Sequence, residues 1–421
     1  MGIGQNRSRP AWRSAWADGD RVSPALLVIL GGISAALHVG KLAPALPVLQ
    51  QALGIGLLES GFLLSLVQLA GMTLGLAVGL MADSLGLKRT MVAGLSILSA
   101  ASLIGGWALD APSLLVLRAV EGFGFLLASM PAPGLIRRLV APQRLQVSLG
   151  IWGAYMPLGT ALALLFGPIA IGIASWSAWW WSLAVLSSGM ALWLALSLPP
   201  DGSASSVIPA DMDNWTLRLR QTLASRGPWL VALSFAMYSS QWLAVIGFLP
   251  SIYAQAGLVG ATAGVATALA AAVNMVGNVA SGRLLQRGVT PQRLLQCGFT
   301  AMGLSSFLAF APIWSGIDPS TAVAFQYMAV LLFSMLGGLI PGTLFSLAVQ
   351  LAPNERTVST TVGWMQQWSA LGQFAGPPMV AWVATAAGGW QWSWLVTGGC
   401  ALVGLGLTRF LPGLVRRSHR P

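Results

Sequence analysis

The sequence predicts an all-α membrane protein: twelve transmembrane helices in two six-helix bundles related by pseudo-symmetry. Three observations predict it. The chain has 421 residues, of which 56% are hydrophobic and only 8% charged, against roughly 25% charged in a soluble domain. Apolar runs of about 20 residues or more recur along nearly its whole length, and the mean hydropathy is +0.74. One long polar segment, PPDGSASSVIPADMDNWTLRLRQTLASRG at 199–227, separates six runs from six. Hydrocarbon offers no partner for free backbone N–H and C=O groups, so runs of this length are helices. The 50 glycines and 19 tryptophans suit such a bundle, because glycine lets helices approach and tryptophan favours the interfaces.

Residues 1–198 read as a cytoplasmic tail followed by the first bundle, with spans at roughly 25–48, 58–82, 90–109, 112–136, 147–172 and 177–198. Residues 199–227 form a cytoplasmic linker. Its NWTLRLRQTL stretch reads either as a surface-lying amphipathic helix or as plain solvated chain. Residues 228–421 hold the second bundle and a tail, with spans at roughly 228–254, 260–284, 292–314, 322–350, 358–384 and 389–411. Several runs exceed the length a bilayer needs, so tilt or kinks are expected. Pro44, Pro131, Pro133, Pro157, Pro341 and Pro377 are the expected kink sites. The polar N-terminus reads as a tail and not as a cleaved leader, because the following apolar run is too long and holds prolines.

The net charge of +11 is distributed against nucleic-acid binding. Arg7, Arg9, Arg13, Arg21, Lys88, Arg89, Arg137, Arg138 and Arg144 fall on one side of the twelve-span topology. So do Arg218, Arg220, Arg226, Arg283, Arg287, Arg293, Arg356, Arg409, Arg416, Arg417 and Arg420. The alternate loops carry no Lys or Arg. That asymmetry places both termini in the cytoplasm of a bacterial-type inner membrane. The expected partners are a small-molecule substrate, a proton and membrane lipid, with a monomeric chain and no cofactor. Cys297 and Cys400 read as packing residues within spans, and no metal-ligand spacing appears.

The halves echo each other. SMPAPGLIRRLVAPQR is followed by GIWGAYMPLG in the first half, and LIPGTLFSLAVQLAPNER by VGWMQQWSALG in the second. Repeated six-helix units place a substrate site between the halves, near the bilayer midplane. The loop between the second and third spans reads GLMADSLGLKRT. Its Gly79, Asp83, Gly86, Lys88 and Arg89 resemble the G-x-x-x-D-x-x-G-x-K-R signature of the major facilitator superfamily. RAVEG in the fourth span resembles that superfamily's R-x-x-x-G element, with Arg118 and Gly122 in register, and GAYMPLG resembles its glycine-proline hinge. GNVASGRLLQRG looks like a degraded second copy of the loop, with Gln286 where the acid would stand. The overall style is similar to bacterial members grouped with cyanate and nitroimidazole transporters. The resemblance implies a secondary transporter. Physically, Gly75 and Gly79 permit close packing, and Asp83 can accept from a helix N-terminus or an arginine. Lys88 and Arg89 suit the phosphate layer. The loop thus reads as a conformational latch between the halves, with a charged hairpin as the plainer alternative.

Four ionisable residues lie deep in spans. At 1.5 Å per residue, His38 sits roughly 20 Å and Lys41 roughly 24 Å up the first span. Glu121 and Arg118 sit roughly 14 and 9 Å below the outer surface in the fourth. Each pair is spaced i, i+3 and shows one helix face. Charges at such depth usually mark a pathway or relay. Arg118–Glu121 also reads as an internal ion pair, and Lys41 as a side chain reaching outward to the interface. Two cations against one carboxylate leave a positive surplus that suits an anionic solute, with Lys41 and Arg118 as its contacts. Glu121 and His38 are then the proton-coupling pair, since a solute competing for Arg118 leaves Glu121 free to protonate.

The second half offers a neutral, aromatic face: Tyr238, Gln241, Trp242, Asn274, Asn278 and Gln367. Amides and indoles orient small polar ligands, and they also bond neighbouring helices. The function expected is secondary transport of a small anionic solute by alternating access, coupled to protons. Efflux of amphipathic drug-like compounds by proton antiport is the alternative. An enzyme would need a nucleophile–base set that two histidines, one of them His419 in the tail, do not supply. No phosphate-binding glycine loop supports ATP drive. A sensor that kept a transporter fold is the third reading.

Overall fold

A computed structural model describes residues 23–141, 148, 151–201, 215–258, 260–354 and 357–413. The side chains of 79–85, Trp215, Ala261 and Ser359 lie outside that description, as do Arg144, Arg356 and the basic residues of both tails. Among the described residues no strand occurs, and the helices form twelve consecutive rods, with a separate short helix, Trp215–Ala224, between the sixth and the seventh. Ten of them, all but the ninth (Pro291–Phe310) and the eleventh (Val358–Ala386), are apolar and long enough to cross a membrane on composition alone. The eleventh carries Gln366, Gln367 and Gln373, which lower its hydropathy. It packs along the second span and the seventh.

The breaks inside rods follow from backbone chemistry. The first span runs Pro24–Gly40, breaks at Lys41, and resumes Leu42–Leu53. The tenth runs Pro319–Gly337, breaks at Gly338, and resumes Leu339–Gln350. Each break lies three residues before a proline, Pro44 and Pro341. A proline lacks the N–H for the carbonyl four residues back and crowds it. The fourth span breaks between Ala111–Ser129 and Ala132–Leu139, at Pro131, with Pro133 in the first turn that follows. Pro157 sits in the first turn of Tyr155–Ile173. Pro377 does not interrupt its helix, which continues to Ala386.

Two breaks have no proline. The second span passes from Leu57–Ser65 through a tighter turn at Leu66–Gln68 into Leu69–Leu85. The eighth changes from Gly260–Ala272 to Asn274–Gln286 at Val273. There the Asn278 amide donates to the Asn274 carbonyl at 3.2 Å, competing with the helix ladder. The third span (Leu87–Gly105), sixth (Trp176–Ser197), seventh (Arg226–Gln255) and twelfth (Ser393–Thr408) are continuous.

The fourth and tenth spans open on the same device. Asp110 Oδ1 accepts from the Ser113 N–H at 2.7 Å, and Asp318 Oδ2 accepts from the Thr321 N–H at 3.1 Å. Both carboxyls are exposed and held below the ordinary aspartate value. The Ser113 N–H does this for Asp110; the Ser320 hydroxyl, then the Thr321 N–H, do it for Asp318. The two bundles meet where the second span packs on the eleventh, the fifth on the eighth, and the outer part of the first on the seventh.

Candidate functional site

The four deep ionisable residues meet inside the first bundle, and the pairing crosses. Lys41 Nζ, from the break in the first span, bonds Glu121 Oε1 of the fourth. Arg118 Nη1 donates to Glu121 Oε2 at 2.8 Å, so one carboxylate bridges two cations. Lys41 also donates to Ser102 Oγ of the third span at 2.8 Å and to His38 Nδ1 at 3.5 Å. Its ammonium stands 4.6 Å from the centre of the Trp180 ring. Exposure is 0% for His38 and Lys41, 2% for Arg118 and 1% for Glu121. Lys41 therefore points inward and does not reach for the interface, and neither cation lies open.

Arg118 answers carbonyls left free at two of the breaks. Its Nη1 donates to the His38 carbonyl and its Nη2 to the Val39 carbonyl at 3.1 Å, the last turn of the first helix segment. Its Nε donates to the Leu63 carbonyl at 3.2 Å, at the end of the second span's first segment. A guanidinium placed on two helix C-terminal ends satisfies carbonyls the helices leave free and complements both dipoles. Gly122, one residue past Glu121, lets the fourth span close on the second: a Cβ there would come within 2.4 Å of the Val67 carbonyl oxygen.

The second half forms a neutral counterpart. Tyr238 OH donates to Asn274 Oδ1 at 3.2 Å, and Asn274 Nδ2 donates to the Ser334 carbonyl at 2.7 Å. Trp242 Nε1 donates to Ser334 Oγ at 3.2 Å, and Asn278 Nδ2 reaches Asn274 Oδ1 at 2.9 Å. Tyr238, Trp242, Asn274 and Asn278 thus bind the seventh, eighth and tenth spans to one another. Gln241 donates to the Met237 carbonyl at 2.7 Å, while its buried Oε1 has no partner among the described residues.

Gln367 alone of the expected set crosses between halves. Its Nε2 donates to the Met72 carbonyl at 2.8 Å, and its Oε1 accepts from the Leu76 N–H at 3.2 Å. One amide thereby spans an i, i+4 pair of the second span's own ladder. A Cβ on Gly75 would lie 3.6 Å from the Gln367 Cβ, an ordinary contact, so the approach does not depend on glycine there. Beside it Gln68 donates to Gln373 at 3.0 Å. Met72, Trp364, Gln367, Trp368 and Leu371 line a cavity of about 130 Å³. Trp229, Trp364 and Trp368 form an edge-on cluster behind it, with centroids 5.0, 5.5 and 5.9 Å apart. The buried Trp364 Nε1 has no partner among the described residues.

Of the residues expected to form the latch, Gly86, Lys88 and Arg89 are described. Gly86 takes φ +94, and the N–H groups of Lys88 and Arg89 donate to the two oxygens of Asp201 at 3.0 Å each. Lys88 Nζ donates to the Leu198 carbonyl at 2.6 Å. These bonds tie the hairpin to the end of the sixth span and do not cross to the other half. Asp201 thereby caps the N-terminus of the third span; the side chains of Gly79 and Asp83 lie outside the described residues. Cys297 is exposed and not packed, and Cys400 is a free thiol 3.5 Å from Ser240 Oγ.

Sequence reasoning missed Ser34, Ser102, Ser187, Gln68, Gln373 and Asp201. Ser34 stands four residues before His38 on the same helix face, a signal the spacing carried. The others depend on which helices become neighbours.

A family model described as Major Facilitator Superfamily matches residues 27–377. Mouse solute carrier family 2, facilitated glucose transporter member 10, is 28% identical over 192 residues, covering 44% of this chain and 34% of that protein. The multidrug transporter mfsC of Aspergillus fumigatus is 26% identical over 172 residues, 40% of this chain and 32% of its own length. The tetracenomycin C resistance and export protein of Streptomyces glaucescens is 28% identical over 156 residues, 36% of this chain and 28% of its own. The matched stretches span about a third of these curated relatives. A bacterial homolog of the human lysosomal transporter Spinster, solved inward-facing and unoccupied, superposes with a TM-score of 0.77 at 16% identity. It covers 95% of this chain and 97% of its own, a likeness of fold alone. With the motif-bearing loop, the twelve rods and this match over most of its length, the chain belongs to the Major Facilitator Superfamily.

Proposed function

We propose that the chain is a proton-coupled secondary transporter in which Glu121 carries the coupled proton. The observation that carries this reading is one buried carboxylate bridging Lys41 and Arg118 at the breaks of two spans. A proton on Glu121 removes the charge that both cations share. Arg118 keeps its carbonyls, while Lys41 loses its anionic partner. The fourth span is thereby loosened from the first at the point where the first is already interrupted. Alternating access needs a bistable joint of this kind, one that a proton and a solute both bias.

For the solute, the amphipathic reading is favoured by the tryptophan-lined cavity at the meeting of the halves. There Met72, Trp364, Trp368 and Leu371 give an apolar, aromatic wall, with the Gln367 amide as its polar group. Gln241 Oε1 is a further candidate contact. The names of the multidrug and tetracenomycin relatives agree with it. An anionic solute is the second reading, favoured by the one positive charge left over in the Lys41–Arg118–Glu121 cluster. Basic residues gathered at one end of the rods support cytoplasmic placement of that end. The 1–198 and 228–421 units are the moving halves, and the chain acts as a monomer. The Asp201-tied hairpin serves as a latch within the first half.

Purified protein in proteoliposomes tests this. Ethidium and a panel of small organic anions serve as probes, with flux measured against an imposed pH gradient. Wild type is expected to show saturable, gradient-driven flux of at least one probe. Glu121→Gln is expected to lose at least tenfold of it while keeping solute exchange. Gradient-driven flux unchanged in Glu121→Gln would sink the reading.

A further inference from the structure

His38 lies between Lys41 and the sixth span, and its hydrogen bonds admit a full proton count. Lys41 as an ammonium has three protons and no lone pair. Its three partners are Glu121, Ser102 Oγ and His38 Nδ1. Ser102 donates its own proton to the Trp180 carbonyl at 2.8 Å, so it meets Lys41 as an acceptor. His38 Nδ1 therefore meets Lys41 with its lone pair, and the neutral ring carries its proton on Nε2. Nε2 lies 2.7 Å from Ser187 Oγ, and Ser187 lies 3.1 Å from Ser34 Oγ. Ser34, His38 and Ser187 are all buried.

We propose that Ser187, backed by Ser34, is a positioning residue that fixes His38 as the neutral Nε2–H tautomer. His38 so fixed holds Lys41 in place when a proton on Glu121 releases it. The second statement rests on the proton-coupled reading above; the first stands on geometry alone. Lys41 requires the lone pair on Nδ1, and Ser187 accepts from Nε2–H; without Ser187 the Nε2–H loses that acceptor, and the Nδ1–H tautomer gains ground even though it sets a donor against the donors of Lys41. The groups facing this cluster are few. The first span supplies Lys41, the fourth Arg118 and Glu121, the third only the Ser102 hydroxyl, the sixth Ser187, the Trp180 ring and the Leu183 carbonyl, which faces the imidazole, and the second the Leu63 carbonyl. No carboxylate touches the imidazole among the described residues.

Nitrogen NMR of ¹⁵N-histidine-labelled protein in bilayers tests it. The chain has two histidines, so His419→Ala leaves one signal. The expected spectrum at neutral pH is a protonated Nε2 and a bare Nδ1. Ser187→Ala is expected to bring in the Nδ1–H tautomer and to shift the pH midpoint of gradient-driven flux. Ser187→Thr, which keeps the hydroxyl, is expected to restore both. An Nδ1–H ring or an imidazolium in wild type at neutral pH overturns the proposal, as does an unchanged spectrum in Ser187→Ala. Full gradient-driven flux in Glu121→Gln would instead overturn the coupling, and with it the holding role, while the tautomer assignment stood.

Discussion

At the scale of single residues, the charge count around Glu121 makes an asymmetric prediction. Removing Lys41 leaves Arg118 and Glu121 as a neutral i, i+3 pair within one helix. Removing Glu121 leaves two buried cations with no anion. Breaking a buried pair so that a charge is left uncompensated costs about 3–5 kcal/mol. Glu121→Ala is expected to cost at least that, and Lys41→Met about 1–2 kcal/mol or less, because methionine fills similar space and strands no charge. Thermal unfolding of the purified variants in one detergent checks the order, and equal losses would contradict it. The four residues were legible in the sequence as a group, because helical rise fixes depth along the axis. Which way they faced was not. Depth says nothing about rotation, and only the packed positions of Ser102, Trp180 and Ser187 show that the cluster turns into its own bundle. The same holds for Asn274 and Asn278, whose shared face was readable and whose Tyr238 and Ser334 partners were not.

At the scale of elements, breaks caused by proline were readable and breaks without one were not. Pro44 and Pro341 carry their break in the local covalent chemistry. The turn at Leu66–Gln68 has none, and beside it an arginine two spans away bonds the Leu63 carbonyl. The eighth and tenth spans close so tightly that a Cβ on Gly277 would lie 2.0 Å from the Met335 carbonyl oxygen. Gly277→Ala must push backbone from backbone. It is expected to cost about 1–3 kcal/mol and to raise amide exchange in both spans, while Gly282→Ala, which meets nothing, is neutral. The paired caps at Asp110 and Asp318 give a pH dependence. Both carboxyls are depressed in the folded state, so each cap stabilises above the ordinary aspartate value near pH 4. That contribution is lost as pH falls through the lower folded value. Asp110→Asn with Asp318→Asn is expected to flatten the acid limb of a Tm-against-pH curve and to leave its neutral region nearly unchanged.

At the scale of the whole molecule, amide side chains bond one half to the other. The signature loop pointed to a latch, and its position in the hairpin was legible. Its described bonds go to Asp201 and Leu198 in the same half, whereas Gln68, Gln367 and Gln373 cross over. Neutral crossing bonds are weak enough to break in each cycle, about 1 kcal/mol each. Gln367→Ala is therefore expected to leave Tm within about a degree or two, yet to shift the populations seen by distance measurements between labels on the second and eleventh spans. Arg118 and Lys41 also bear on how the chain is made. Glu121 lies 80 residues after Lys41, and Ser187 lies 149 after His38. At a synthesis rate of roughly 5–20 residues per second, the lysine waits on the order of ten seconds for its carboxylate. The fourth span arrives already neutralised by its own Arg118–Glu121 pair, and it must then collect a charge stranded in the first. A chain cut short after the third span carries Lys41 in the bilayer without the carboxylate that neutralises it.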